Sequence, residues 1–292
     1  MNTNSPSKQH VLPKTYLKHF SQSNDGKNLC LLHYNHKYKK EIEIKDSGSS
    51  VFIRHNFYDS PHFKNPKEIE LFFATKIEPN YNAIVAEIKK QKEITDYILK
   101  IRLLEWVIYA KIRSVSWRDM FRIELEQAGH NFDFESKELQ EEHLNILTSP
   151  EVYDWVLDYY DKGLSSKRLI ILKSPAEKYW VTSDNPGFTI NVDGFAGRIW
   201  EVEQNPYCTN LQHDSILYFP LTKEYCLKIQ PYYEGEDIKL NLSNTPITFD
   251  IASEAEFKLV NSWTYLTQHS FVVGCTKHCL KVFEEFNSGI KS

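Results

Sequence analysis

Five side chains in this sequence are of types that do chemistry and stand in places that need explaining: His10, Glu70, Glu78, Arg113 and Asp184. Arg113 continues the stripe Trp106, Ala110, Arg113, Trp117, which helical periodicity assigns to a core face. A guanidinium keeps its charge, so a buried one needs a carboxylate, a phosphate or a ring of carbonyls. Two readings are open: an ion pair with Glu70 or Glu78, or an anion clamp in a cleft with Arg118 as a second contact. Glu70 and Glu78 fall about 80° apart around a regular helix, near enough to flank one groove. They are either a solvated face or paired carboxylates that hold a divalent ion or divide acid and base duties. His10 either faces a cleft or caps and packs. Asp184 lies in "TSDNPG", where Asp and Asn favour a turn by bonding nearby backbone N–H groups, yet "YWVTSD" delivers the carboxylate to a strand end, where sheets often present functional groups.

The elements that position these residues are legible from pattern. In "QHVLPKTYLKHF" the proline suits a helix start, leaving His10 in an extended lead-in and Tyr16, Leu17 and Phe20 as an apolar face. "LCLLHY" and "KEIEI" read as paired strands around a polar "NHKYK" turn, with a short strand at Val51 to Ile53. A helical region runs from Lys67 to Gly129. Its first helix carries Ile69, Phe72, Phe73, Ile77, Tyr81, Ile84, Val85 and Ile88, and Pro79 kinks or divides it. Its second is one long helix with the stripe Leu99, Leu103, Trp106, Ala110, Trp117 and Phe121, stopped by Gly129. Shorter helices are expected at 137–147 and 151–160. After Lys167, "RLIILKS", "YWVTSD", "FTINV", "SILYFPLT" and "EYCLKIQ" are strands, succeeded by a helix at 252–266, the strand "SFVVGC" and a closing helix "TKHCLKVFEEF". The expectation is α+β: an α-helical N-terminal half (9–163) with long helices packed on a β-rich C-terminal half (167–288) of antiparallel or mixed sheet, capped by helices, in a single compact domain over 1–292.

Composition narrows the function classes. A net charge of −4 gives no global pull toward nucleic acid or an anionic membrane. No signal-peptide pattern and no long apolar run is present, so a soluble, cytoplasmic protein is expected, with no membrane partner. The five cysteines are scattered, which is not a disulfide framework. Cys275 and Cys279 flank His278 without a second ligand pair, so buried thiols are favoured over zinc. Gly-rich phosphate loops, G-x-S-x-G elbows, H-E-x-x-H pairs and EF-hand spacings are missing, which removes local support for the common nucleotide-binding, hydrolase and metalloprotease readings.

The elements "QHVLPKTYLKHF", "NFY" (56–58), "EIELFFATKIE", Arg113, "TSDNPG", "PLT" (220–222) and Asn261 in "KLVNSW" recur in an order and spacing that resembles the bacterial domain-of-unknown-function family 4238. The resemblance spans nearly the whole chain. It differs where relatives often place a proline after the Arg, which here is Val115, Ser116 and Trp117. The family supplies no activity, but the match implies His10, Glu70, Glu78, Arg113, Asp184, Asn185 and Asn261 as a shared polar set.

The leading expectation is an enzyme on a phosphate-containing substrate, a nucleic acid or nucleotide, in a toxin-like or defence role. Glu70, Glu78 and Asp184 would hold Mg or Mn, His10 would act as base or acid, and Arg113 would stabilise phosphate charge with Asn185, Asn261 and Arg118 binding substrate. The alternative is a non-catalytic binding or regulatory module whose polar cluster is structural.

Overall fold

The computed structural model describes residues 8–33, 42–59, 68–133, 136–148, 167–192, 199–203, 215–231 and 245–286. The expected "NHKYK" turn and the helix at 151–160 lie outside these residues. At the N-terminus β1 (Lys8–His10) pairs antiparallel with β4 (Ile53–His55), placing His10 opposite Ile53. Pro13 precedes α1 (Lys14–Leu17), which tightens into a 3₁₀ turn through Phe20, and Tyr16, Leu17 and Phe20 are fully buried as their spacing predicts. The hairpin strands β2 (Leu29–His33) and β3 (Ile42–Lys45) pair as expected. Val51 and Phe52 belong to a 3₁₀ turn ahead of β4.

The helix that carries both glutamates is interrupted. α2 (Glu68–Phe72) passes through a π-turn (Phe73–Ile77) into α3 (Glu78–Ile88), with Pro79 at the start of α3. Pro79 has no N–H for the carbonyl one turn back, and the wider turn absorbs the ring. Two side chains serve carbonyls around the break: Thr75 Oγ1 donates to Leu71 O at 2.6 Å and Asn80 Nδ2 to Lys76 O at 2.8 Å. One extra residue in a turn rotates the next helical segment by roughly 100°. That cancels the 80° offset of a regular helix and returns Glu78 to the side of Glu70.

The long helix expected around Arg113 is instead two, α4 (Tyr97–Ile112) and α5 (Val115–Gln127). The break is chemical: Ser114 is extended and its hydroxyl accepts Trp117 N–H at 3.1 Å as the N-cap of α5, just as Asp96 caps α4. The N-cap therefore does what a proline would, and Gly129, at φ +92°, closes α5. α6 (Lys137–Thr148) packs beside it.

β5 (Lys167–Lys173), β6 (Thr182–Ser183), β7 (Phe188–Val192), β8 (Ile199–Glu203), β9 (Ser215–Pro220), β10 (Tyr225–Pro231), β11 (Thr248–Ile251) and β12 (Phe271–Gly274) form two sheets with the N-terminal hairpin. One runs β11-β5-β10-β9-β7-β8, with only the β11–β5 pair parallel; the other runs β3-β2-β12-β6. The chain is thus mixed α and β. The N-terminal half also holds strands, since β2 and β3 complete a sheet with β6 and β12.

Strand alternation explains the layering. Leu169, Ile171, Leu217 and Phe219 face a large core shared with α1–α6, while Ile170, Leu172, Ile216 and Tyr218 face a second core. That second core is covered by α7 (Glu254–Leu266) through Val260, Phe257 and Trp263. In the smaller sheet Leu29 and Leu31 face the large core, and Cys30 and Leu32 face Leu280 and Phe283 of α8 (Lys277–Phe286). A sheet covered on both faces explains strands that are apolar throughout rather than alternating. The Tyr16 hydroxyl ties the helical layer to both sheets, donating to Pro220 O at 2.6 Å and bonding Thr182 Oγ1 at 2.7 Å. Among the described residues no helix is long and apolar enough to cross a membrane.

"TSDNPG" carries the chain from the smaller sheet to the larger. Asp184 is 2% exposed. Its Oδ1 accepts the N–H of His269 at 3.0 Å and, more distantly, that of Phe271 at 3.5 Å, while Oδ2 accepts that of Ser270 at 2.7 Å. Asn185 Nδ2 donates to Thr267 O at 2.7 Å, and its Oδ1 accepts from Lys111 Nζ, which also reaches Gly187 O at 3.0 Å. Gly187 has φ +76°, and a Cβ there would stand 2.5 Å from Phe219 Cδ2 and 3.0 Å from Tyr218 O. Backbone conformation and space both demand glycine.

This junction should be sensitive to substitution at two positions. Asp184→Ala strands the amide donors of 269–271 and should cost at least about 3 kcal/mol in urea unfolding. Gly187→Ala should cost about 1–3 kcal/mol through strain and contact. An unchanged unfolding midpoint in either variant contradicts the clasp.

Candidate functional site

The polar groups that meet are supplied by the N-terminal strand, the π-interrupted helix and the end of α4. β1 is held by Gln9, a fully buried side chain whose Oε1 accepts Tyr58 N–H at 2.5 Å and whose Nε2 donates to Asp59 Oδ1 at 2.5 Å. That fixes His10, whose two peptide groups are gripped from opposite sides. Its carbonyl accepts Arg113 Nη2 at 2.7 Å, and its N–H bonds the Glu70 carboxyl.

Arg113 is the electrostatic centre. Nη1 donates to Glu78 Oε1 at 3.1 Å, and the guanidinium lies 4.2 Å from the Phe73 ring centroid and 5.6 Å from that of Tyr58. Tyr58 in turn donates its hydroxyl to Arg113 O at 2.6 Å, satisfying the carbonyl where α4 ends. Burial opposes the charge on Arg113, but Tyr58 and Glu78 more than offset it, so its pKa stands above the usual guanidinium value. Glu78 remains partly exposed and its Oε2 takes a 3.4 Å contact from Thr15 Oγ1.

Burial shifts the two titratable groups His10 and Glu70 in opposite directions. Burial, then the charges of Lys14 and Arg113, lowers His10 to about 4, so the imidazole is neutral at physiological pH. Burial raises the Glu70 carboxyl despite the opposing charge of Arg113. The His10 ring bonds the Ser47 backbone, and its Nε2 is buried with no hydrogen-bond partner, as is Arg113 Nε. Unpartnered buried polar atoms cost free energy; this cluster holds two, and Trp106 and Trp180 Nε1 are others among the described residues.

His10, Glu70, Glu78 and Arg113 therefore come together. Asp184 and Asn185 instead bond the main chain at 267–271 and Lys111, and Asn261 ties α7 to the approach to β6, accepting Val181 N–H at 3.1 Å and donating to Tyr179 O at 3.3 Å. Arg118 braces the α4–α5 break: Nη2 donates to Phe57 O at 2.5 Å and Nε to His143 Nδ1 at 3.0 Å. His143 Nε2 then donates to Ile112 O at 2.8 Å, and burial with the Arg118 charge keeps that imidazole neutral. Among the described residues no three His, Cys, Asp or Glu side chains group to hold a metal ion. The expected Glu70–Glu78–Asp184 ligand set is not brought together, since both Asp184 oxygens accept main-chain N–H groups. Gln9, Tyr58, Phe73 and Asp59 also shape the cluster, and residue type alone does not mark them. The recurring "QH" and "NFY" elements are the signal in the sequence that points to them.

Comparison with known proteins gives kinship without chemistry. A stretch of 41 residues, 14% of this chain, is 46% identical to the kinase and exchange factor for Rac A of Dictyostelium discoideum. The match covers 3% of that protein's length. No solved structure matches. The profile described as "Protein of unknown function (DUF4238)" matches residues 8–278, and it is to this family that the chain belongs.

Proposed function

We propose that this protein is an enzyme acting on a phosphate-containing substrate of nucleotide size, with His10, Glu70 and Arg113 as its working groups. The observation that carries the reading is the neutral His10 imidazole with an unpartnered Nε2, set beside a carboxyl raised by burial and between the charges of Arg113 and Lys14. Nε2 would take the proton of an attacking water or hydroxyl. Glu70 would return a proton to the departing oxygen, and Arg113 with Lys14 would balance the charge that builds on phosphorus-bound oxygens. The net charge of −4 supports a small substrate over a polyanion.

A second reading has its own support. Both terminal nitrogens of Arg113 are engaged by Glu78 and the His10 carbonyl, and Arg118, Asp184, Asn185 and Asn261 are committed to main-chain or structural partners. On that view the cluster anchors β1 and the protein is a non-catalytic module.

Turnover of nucleoside mono-, di- and triphosphates and of a short phosphodiester separates the two. The enzymatic reading expects His10→Ala to fold and to lower kcat/KM by about 10²–10⁴. Because His10 acts only when unprotonated, kcat/KM should rise with pH through about 4 and level above it, falling again once Glu70 has lost its proton. Turnover indifferent to His10→Ala, or no turnover and no binding across the panel, sinks this reading. The structural reading is then left, with Arg113→Ala costing about 3–5 kcal/mol.

A further inference from the structure

At the opposite end of β12 from the Asp184 clasp, two thiols face each other across the start of α8. Cys275 comes directly after the last residue of β12 and Cys279 lies in the first turn of the helix, with Sγ atoms 3.7 Å apart. The approach is made possible by Gly274, where a Cβ would stand 3.3 Å from Cys279 Cβ and 3.3 Å from Leu280 Cδ2. Cys275 is 3% exposed, whereas Cys279 is partly open to solvent.

We propose that Cys275 and Cys279 form a reversible oxidation site for hydroperoxides, with Cys279 as the attacking sulfur and Cys275 as the resolving one. The hydrogen bonds assign these roles. Thr276 Oγ1 accepts the Cys279 N–H at 3.3 Å as helix N-cap, which leaves its own hydrogen for Cys279 Sγ at 3.0 Å. Cys279 sulfur can thus receive the Thr276 hydroxyl and the Cys275 S–H, and sits within the positive field of the free N–H groups that open α8. The facing charged and titratable groups are Lys277 and His278 on α8, Lys223 in the β9–β10 turn and Cys30 on β2, which stands opposite Gly274 in the ladder.

The Cys275 bond, together with the weaker effect of those from Thr276, lowers Cys279 to about 6 against the effect of burial, and the same bond pushes Cys275 up. The more exposed sulfur is therefore a thiolate at neutral pH and the buried one its proton-bearing partner.

In the first step the Cys279 thiolate attacks the peroxide O–O bond. An S–O bond forms to the terminal OH, O–O breaks and a sulfenic acid results, while the departing hydroxide or alkoxide takes a proton from water. In the second step the Cys275 sulfur attacks Cys279 and gives up its proton. The S–S bond forms, S–O breaks and water leaves. Two electrons pass from the sulfur pair to the peroxide, and a dithiol reductant reverses the change. The product ties the first turn of α8 to the end of β12.

The test is treatment of the folded chain with one equivalent of hydrogen peroxide, then free-thiol titration and peptide mapping without reduction. The expected result is loss of two thiols, a Cys275–Cys279 linked peptide, and recovery with dithiothreitol. Cys275→Ser should halt at a Cys279 sulfenic acid that dimedone captures, and Cys279→Ser should keep its Cys275 thiol. In the untreated protein, iodoacetamide at pH 7 should alkylate Cys279 roughly three- to six-fold faster than an equally exposed thiol of ordinary pKa, the gain in thiolate fraction being partly offset by lower intrinsic nucleophilicity. A linkage to Cys30, or a Cys279 that stays reduced in wild type and Cys275→Ser alike, overturns the proposal. Circular dichroism of each serine variant confirms that a negative result comes from folded protein.

Discussion

A guanidinium that cannot shed its charge lies at the centre of the described helical layer, 2% exposed, and its neighbourhood is arranged to satisfy it. Arg113 stands where α4 ends, so its carbonyl is freed for the Tyr58 hydroxyl while its side chain reaches Glu78 and the His10 carbonyl. Phe73 and Tyr58 flank the cation with ring faces rather than water. The Ser114 cap that restarts the helix is the backbone counterpart of the same arrangement, since a continuous helix would direct the next residues differently.

The π-turn belongs to this arrangement. On a regular helix Glu70 and Glu78 would lie about 80° apart around the axis. The extra residue before Pro79 brings both to the same side, where their environments divide them. Glu78 pairs with Arg113 and stays partly open to solvent, whereas Glu70 is buried deeply enough that its proton is held more tightly.

A second set of polar residues holds the layers together. Tyr16 connects α1 to β6 and β9, Asp184 binds the segment entering β12, Asn185 joins that segment to Lys111 of α4, and Asn261 fastens α7 to the approach to β6. These residues have a physical role that need not involve a substrate. They satisfy main-chain groups at chain crossings between sheets, where ladder partners run out. A polar pattern along a sequence thus mixes residues of a site with residues of a joint.

The sequence by itself determined the β-rich apolar runs that make β2, β5, β9 and β10 strands, the burial of Tyr16 and Phe20, the interruption near Pro79 and the core position of Arg113, because each depends on side-chain type and local period; it left the partner of Arg113 open. It also supplied family membership. It did not reveal β11, a four-residue edge strand too short for its alternation to stand out, or the end of α4, where Ser114 suits a cap but the apolar stripe runs on through Trp117 and Phe121. Only the tertiary structure decided which polar residues share a site. His10, Glu70, Glu78 and Arg113 converge because β1 is held against the π-turn by Gln9 and β4, contacts between residues far apart in the chain. Asp184 was separated from them for the same reason: its partners at 269–271 are fixed by sheet pairing, and pairing between distant strands is not encoded in any local spacing.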